Sequence, residues 1–221
     1  MKSKTRNPKS EVGRALVCFA VKEEAGPFRT WANEREGIEI LLTGMGKRNA
    51  ERAIRGAVAK ACPDLVLTCG FAGGLRPDLE AGTVLYAVDG ENDLESALSA
   101  AGARAARFHC ADRVASTAEE KRALGKETGA DAVDMESEVI CAVCRAQGIP
   151  SAIVRVVLDS ADEDLPLDFN SLMTPDQRMH YGKLAQVLLK SPSKISALRR
   201  FQKQSQVAAR RLAEVLSGVL G

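Results

Sequence analysis

Three carboxylates in this sequence, Glu24, Glu136 and Asp159, are the side chains best placed for acid–base work. Asp159 ends the apolar run Ile153-Val154-Arg155-Val156-Val157-Leu158, and a buried strand that delivers a carboxylate at its carboxyl end is where α/β proteins place chemistry. Glu136 lies in Ala132-Val133-Asp134-Met135-Glu136-Ser137, two carboxylates around a methionine at the mouth of a helix. Glu24 comes after the first strand, ALVCFAV over 15–21, with Glu23 beside it. The three are expected to face one pocket, where carboxyls in different surroundings divide the work of giving and holding protons. Taken one at a time, each has a plainer reading: Glu24 and Glu136 as acids favoured near a helix N-terminus, Asp159 as a loop cap.

Two glycine-rich runs accompany them. Gly44-Met45-Gly46-Lys47 opens a helix, so its backbone N–H groups can meet an anion or a hydroxyl; taken alone, it reads as a tight turn. Its spacing is neither that of a phosphate-binding P-loop nor that of a dinucleotide fingerprint. The strand 65–69 finishes in Gly70-Phe71-Ala72-Gly73-Gly74, where three glycines beside a strand end let a ligand approach the backbone.

The elements that must position these groups alternate along the chain. Apolar runs at 15–21, 37–42, 65–69, 83–88, 108–110 and 151–158 read as strands. One helical stretch runs from the first glycine turn to about Cys62 and another from about Leu94 to Ala101. A third starts at a Ser116 or Thr117 cap, and a fourth spans Val139 to Arg145. Strands that are almost wholly apolar imply a sheet covered on both faces. The fold class is therefore α/β, a single domain over 14–221 with a central mixed, mostly parallel sheet flanked by helices. The remaining third is helical, Pro175 to Lys190 and Pro192 to about Ser217, and residues 1–13 read as a flexible polar lead-in.

Composition narrows the function classes. The 221 residues are 45% hydrophobic with a net charge of +2, too mild for nucleic acid as the main ligand. No apolar run is long enough to span a bilayer and no signal peptide opens the chain, which points to the cytoplasm. Cys18, Cys69 and Cys110 sit in strand-like runs as small hydrophobes, and Cys141 and Cys144 lie in a helical pattern with no second pair, so no metal site is expected. His109 and His180 have no partners in spacing. Lys194, Arg199, Arg200, Lys203, Arg210 and Arg211 give the last helix a basic side, read first as a solvated face and second as a peripheral contact with anionic lipid.

The ordered set Ala20-Val21-Lys22-Glu23-Glu24, Gly44-Met45-Gly46-Lys47, Cys69-Gly70-Phe71-Ala72-Gly73-Gly74, Asp134-Met135-Glu136 and Asp159 resembles the purine nucleoside phosphorylase superfamily. It is most similar to the nucleosidase branch that cleaves methylthioadenosine and adenosylhomocysteine. The tail, from Asp159-Ser160-Ala161-Asp162 through Leu165-Pro166, resembles members that release adenine from adenosylhopane. The resemblance implies that Asp159 donates a proton to N7 of the purine and that Glu136 accepts hydrogen bonds from the ribose 2′ and 3′ hydroxyls. It further implies that Met135 packs on the ribose and that Glu24 takes a proton from the attacking water. The backbone of Phe71, Ala72 and Gly73, with Gly46, would line the pocket, and Val114 and Ala115 are candidates for the wall beside the base. Oligomers are expected on the same ground.

Two departures from the pattern matter. The phosphorylases hold phosphate with an arginine and a hydroxyl near the strand-end glycines; here Leu67-Thr68-Cys69-Gly70-Phe71 offers no arginine and places Phe71 at the hydroxyl position. That favours hydrolysis, with no cofactor, over a phosphate-dependent reaction, for which Lys47 or Arg48 would have to compensate. Leu158 stands where nucleosidases commonly carry a serine before the aspartate, which keeps a third reading open, a nucleoside-binding protein without chemistry. Arg155, inside a strand, is expected to pair with a carboxylate in a structural role.

Overall fold

The computed structural model describes residues 13–89, 94–177, 180–191 and 193–221, so the expected lead-in at 1–13 lies almost wholly outside the described residues. Three parallel strands form the first half of the sheet: β1 (Ala15–Phe19) lies between β2 (Ile38–Leu42) and β3 (Leu65–Gly74). β8 (Ser151–Asp159) pairs parallel with β3 and antiparallel with β4 (Val84–Asp89), and β5 (Arg104–Ala105) completes the order β2-β1-β3-β8-β4-β5. A small branch leaves this path where β7 (Ala132–Asp134) pairs antiparallel with the end of β3 and parallel with β6 (Phe108–Cys110). The sheet is mixed and mostly parallel, as the near-continuous apolar strands require.

Both faces are covered. On one, α1 (Lys22–Ala32), α3 (Leu94–Ala100) and α8 (Ser193–Leu220) pack over the sheet, with Phe19, Phe28, Leu67, Val154, Leu212 and Leu216 at the centre of that core. On the other, α2 (Lys47–Lys60) and α5 (Ser137–Ala146) bury Ile54, Ile140, Val143 and Cys144 against Leu16, Cys18 and Val66. The six cysteines are free, and all but Cys62 are buried.

Helix α4 (Ala118–Thr128) starts where the sequence places it: Thr117 Oγ1 accepts the Glu120 N–H at 3.1 Å, and the Glu120 carboxylate folds back onto the N–H groups of Ser116 and Thr117. Two expectations are corrected. The third strand does not end at Cys69: the run 70–74 is its second half; β8 holds it on one side, β7 on the other, with a register shift between Ala72 and Gly73. The helix expected from Pro175 begins only at Tyr181, as α7 (Tyr181–Lys190), with the short α6 (Phe169–Leu172) before it, capped by Asp168. Leu167 and Leu172 are core residues, and the Phe169 ring lies 5.6 Å from that of Phe201 on α8.

Gly70 is the glycine on which this arrangement depends most. Its φ is +146°, and a Cβ there would come within 2.5 Å of Arg155 Nη1 and 2.6 Å of Glu24 Oε1. Gly70→Ala should therefore lower the unfolding free energy by about 2 kcal/mol or more, by strain and by displacing the buried guanidinium. A urea midpoint within experimental error of wild type would refute this.

Candidate active site

Glu24 sits on the first turn of α1, directly beyond β1, and turns inward rather than to solvent. Its Oε2 accepts the N–H groups of Ala20 (3.0 Å) and Val21 (3.1 Å), and its Oε1 accepts that of Phe71 on β3 (2.8 Å). Burial pushes this carboxyl upward; Arg155 and the three backbone N–H groups pull the other way. The bond to Phe71 spans 47 residues of chain and ties the start of α1 to the neighbouring strand.

Arg155 projects from the middle of β8 and is 1% exposed. Its Nη2 meets Asp134 Oδ2 at 2.5 Å, Glu136 Oε2 at 3.8 Å and Thr68 Oγ1 at 3.2 Å, while Nη1 donates to the Cys69 carbonyl at 2.8 Å. Burial works against its charge, but Asp134, Glu136 and Glu24 together overcome that and keep the guanidinium firmly protonated. The pairing with a carboxylate expected for Arg155 is present, and its reach is wider than one partner.

Asp134 closes β7 and accepts the Ser137 N–H (3.1 Å) and hydroxyl (2.7 Å), which fixes the start of α5. Glu136, at the N-cap of α5, does not cap its own helix; its Oε1 accepts the Gly46 N–H at 2.7 Å. The G-x-G turn does offer a backbone N–H to an acid, and the acid is a side chain of the same protein. Burial raises the Glu136 carboxyl to about 7, against the pull of Arg155 and the Gly46 N–H, with Asp134 and Glu24 adding to the rise. Met135 is half-buried beside it.

Asp159 ends β8 in register with Gly73, and its Oδ2 receives Lys121 Nζ at 2.6 Å. Burial pushes its carboxyl up and Lys121 pulls it down. Lys121, fully buried on α4, is the residue sequence reasoning missed. The signal was faint: one lysine in the charged stretch Glu119-Glu120-Lys121-Arg122, at a helical position facing inward.

The remaining candidates fall into two groups. Gly46 and Gly73 stand beside the carboxylates, and Phe71 contributes its backbone to Glu24. Ala72 is 4% exposed and points into a small core with Leu79, Leu85 and Val157, so only its backbone is available. Ala115 packs toward Leu75, Ala130 and Val133, and Val114 exchanges hydrogen bonds with Asn170, its N–H to Oδ1 and its carbonyl from Nδ2, both 2.9 Å. Leu158 faces the large core, and its carbonyl accepts Gln204 Nε2 at 2.6 Å.

Beside Gly46 is a cleft of about 420 Å³ whose lining includes Lys47, Arg48, Asn49, Arg52, Asp112 and Gln177 but none of Glu24, Glu136 and Asp159. Lys47 is engaged there by Asp112 at 2.9 Å. Gln177 lies over Gly46, where a Cβ would overlap its amide, and Asn49 Nδ2 holds the Asp176 carbonyl at 2.9 Å. A separate cleft of about 560 Å³, between α2 and the first residues of β1 and β2, contains none of these carboxylates.

Known proteins share both the sequence pattern and the fold. Residues 20–99 and 91–191 match the family model described as the phosphorylase superfamily, and the chain belongs to that superfamily. Curated relatives that the chain matches are named as nucleosidases. It is 23% identical over 191 residues to a 5′-methylthioadenosine/S-adenosylhomocysteine nucleosidase of Anoxybacillus flavithermus, covering 71% of this chain and 82% of that one. Among solved structures it resembles the 5′-methylthioadenosine/S-adenosyl homocysteine nucleosidase of Helicobacter pylori, with a TM-score of 0.69, 17% identity, and 96% and 99% of the two chains covered. The futalosine hydrolase of the same organism superposes with a TM-score of 0.66 at 17% identity, over 93% and 98% of the two chains.

The Glu136 carboxyl sets a pH dependence of stability. The folded protein holds its proton more tightly than the unfolded chain, so stability should fall as pH rises from about 4.5 to about 7 and level off above. The loss attributable to this group is on the order of 3 kcal/mol. In Glu136→Gln that segment of the profile should become shallower, since Glu24 and Asp159, raised in the same direction, still contribute to it, as read from urea midpoints across the range; identical slopes in the two proteins would contradict the assignment.

Proposed function

We propose that this enzyme hydrolyses the N-glycosidic bond of a purine nucleoside, releasing adenine, with water as nucleophile and no cofactor. The observation that carries the reading is the placement of Glu24 and Glu136 around one buried arginine, with Asp159 held separately across Gly73. As the bond breaks, the ribose gains oxocarbenium character and the purine leaves as an anion that needs a proton. Asp159 donates to N7 of the base, a step its burial favours by holding the carboxyl protonated further up the pH scale. Glu136 accepts from the 2′ and 3′ hydroxyls, with Met135 against the sugar. Glu24 takes the proton of the attacking water while three backbone N–H groups hold it in place. The backbone at Phe71, Ala72, Gly73 and Gly46 lines the pocket, and Val114 and Ala115 form the wall beside the base.

Hydrolysis is preferred to phosphorolysis on electrostatic grounds. A phosphate dianion beside Glu24 and Glu136 would meet carboxylates whose one arginine is already shared, and Lys47 is occupied by Asp112. Adenine nucleosides fit the curated relatives, which are named for 5′-methylthioadenosine and S-adenosylhomocysteine. A 5′-extended adenosine such as adenosylhopane belongs to the same proposal, as do a homo-oligomeric assembly, a cytoplasmic site of action and a peripheral membrane contact through the basic side of α8. Among the described residues no helix is long and apolar enough to cross a membrane.

Purified protein should release free adenine from adenosine, methylthioadenosine or a 5′-extended adenosine without added phosphate. Ribose 1-phosphate formed only in its presence would instead establish a phosphorylase, and tight binding without release would establish a binding protein. Asp159→Asn should keep ligand affinity within about threefold and lose about 100-fold or more in turnover. Unchanged turnover would remove Asp159 from the mechanism.

A further inference from the structure

The aspartate assigned as proton donor is bound by a lysine that reaches it from a different element. Lys121 lies on α4, is 0% exposed, and directs its ammonium at three oxygens: Asp159 Oδ2 at 2.6 Å, the Ser160 carbonyl at 2.6 Å and the Glu163 carbonyl at 2.5 Å. A buried ammonium is tolerated only when its donors are satisfied, and here each has an oxygen to bond. The same helix is fastened to the 160–164 loop twice more, by the Ala118 N–H on Asp164 Oδ1 at 2.8 Å and by Arg122 on Asp162 at 2.9 Å.

The approach is shaped from the sheet side as well. A Cβ on Gly73 would lie 3.7 Å from both Asp159 Oδ2 and the Lys121 stem, ordinary contact distance, so the pair lies directly beside this strand position. The one side chain that the ammonium bonds is the acid itself, and no other side chain bonds that carboxylate among the described residues.

Resting on the hydrolase reading above, we propose that Lys121 is a positioning residue for Asp159: it fixes the carboxyl through Oδ2 and stabilises the carboxylate left behind when the proton departs. The electron pair of the C1′–N9 bond goes to the purine, the Asp159 proton goes to N7, and Asp159 is left as the anion paired with the Lys121 ammonium. Water adds its oxygen to C1′ and gives its proton to Glu24, and solvent returns both carboxyls to their starting states. Burial makes Asp159 able to hold a proton, and Lys121 makes it able to part with one. The charged groups acting on Asp159 are Lys121 from α4 and Glu163 from the adjoining turn; Gly73 and Val133 approach from the strands without charge.

The test is the pH dependence of Asp159 with and without the lysine charge. In Lys121→Met, kcat should fall about 10- to 100-fold with KM within about threefold, and the basic limb of kcat/KM should move up by about one pH unit or more. The midpoint of the Asp159 carboxyl, followed by carbon NMR of labelled protein, should move up by a similar amount. Lys121→Gln, which keeps N–H donors for the loop carbonyls but not the charge, should show the same shift and serves if the methionine variant does not fold. An Asp159 midpoint unmoved in the folded variant, with the basic limb in place, would overturn the proposal. A moved midpoint in a protein whose wild type releases no adenine would uphold the tie between the two residues and refute the hydrolase reading.

Discussion

One buried guanidinium holds this pocket together. Arg155 sits in the strand that pairs with both β3 and β4, so its backbone cannot shift without breaking two ladders. Removing its charge from water costs several kcal/mol, offset by Asp134 at 2.5 Å, by Glu136 farther off, and by the Cys69 carbonyl and Thr68 hydroxyl. Its Nε finds no partner among the described residues. Three acids converge on one cation, so neutralisation is incomplete by arithmetic. Burial then holds the Glu24 and Glu136 carboxyls above their ordinary range. A pocket of this kind attracts a ligand that becomes cationic during reaction, because the favourable interaction grows as the positive charge develops.

The sheet explains why the acids divide into two groups. β3 runs past the end of β1 and is claimed by two neighbours at once, β8 in parallel and β7 antiparallel, with Gly73 opposite both Val133 and Asp159. Met135 and Glu136 come directly after β7, and Asp159 ends β8, so the fork sets them on either side of one glycine. Glu24 arrives from β1 through the Phe71 N–H. Each acid therefore hangs from a strand end or the first turn beyond it, on backbone that the sheet already fixes.

Much of this was legible in the sequence because strands 15–19, 65–69 and 151–159 are mostly apolar, and each leads into a carboxylate or a glycine-rich run. Glu24, Glu136 and Asp159 could be singled out because their positions are set locally, by a strand and the turn after it. Residues 70–74 were misjudged because glycine has poor strand propensity; the pairing that overrides it comes from β7 and β8, far along the chain. Lys121 was invisible for a related reason. Its helix is marked by local capping signals, but the partner that makes this lysine different from Lys126 lies 38 residues away. The start of α7 was misplaced because Asp176, just past the expected start, is held by a long-range bond from Asn49 that no local pattern reveals.

Leu158 acquires a different meaning once Lys121 is in view. A serine before the aspartate would offer a hydroxyl to orient it, and leucine offers none, which by itself argues against a working acid. In this protein Leu158 belongs to the large core, with Val156 in the same cluster, and its carbonyl is taken by Gln204 of α8. The orienting bond to Asp159 comes instead from across the loop, from an ammonium rather than a hydroxyl. The substitution is not neutral in its chemistry. A neutral donor would only aim the carboxyl, whereas a cation also favours its ionised form, so burial must be deep enough to keep the proton available. Asp159 is buried, and burial is the larger influence on its carboxyl, with Lys121 the opposing one. A lysine can replace the hydroxyl only in a pocket that is already this dry.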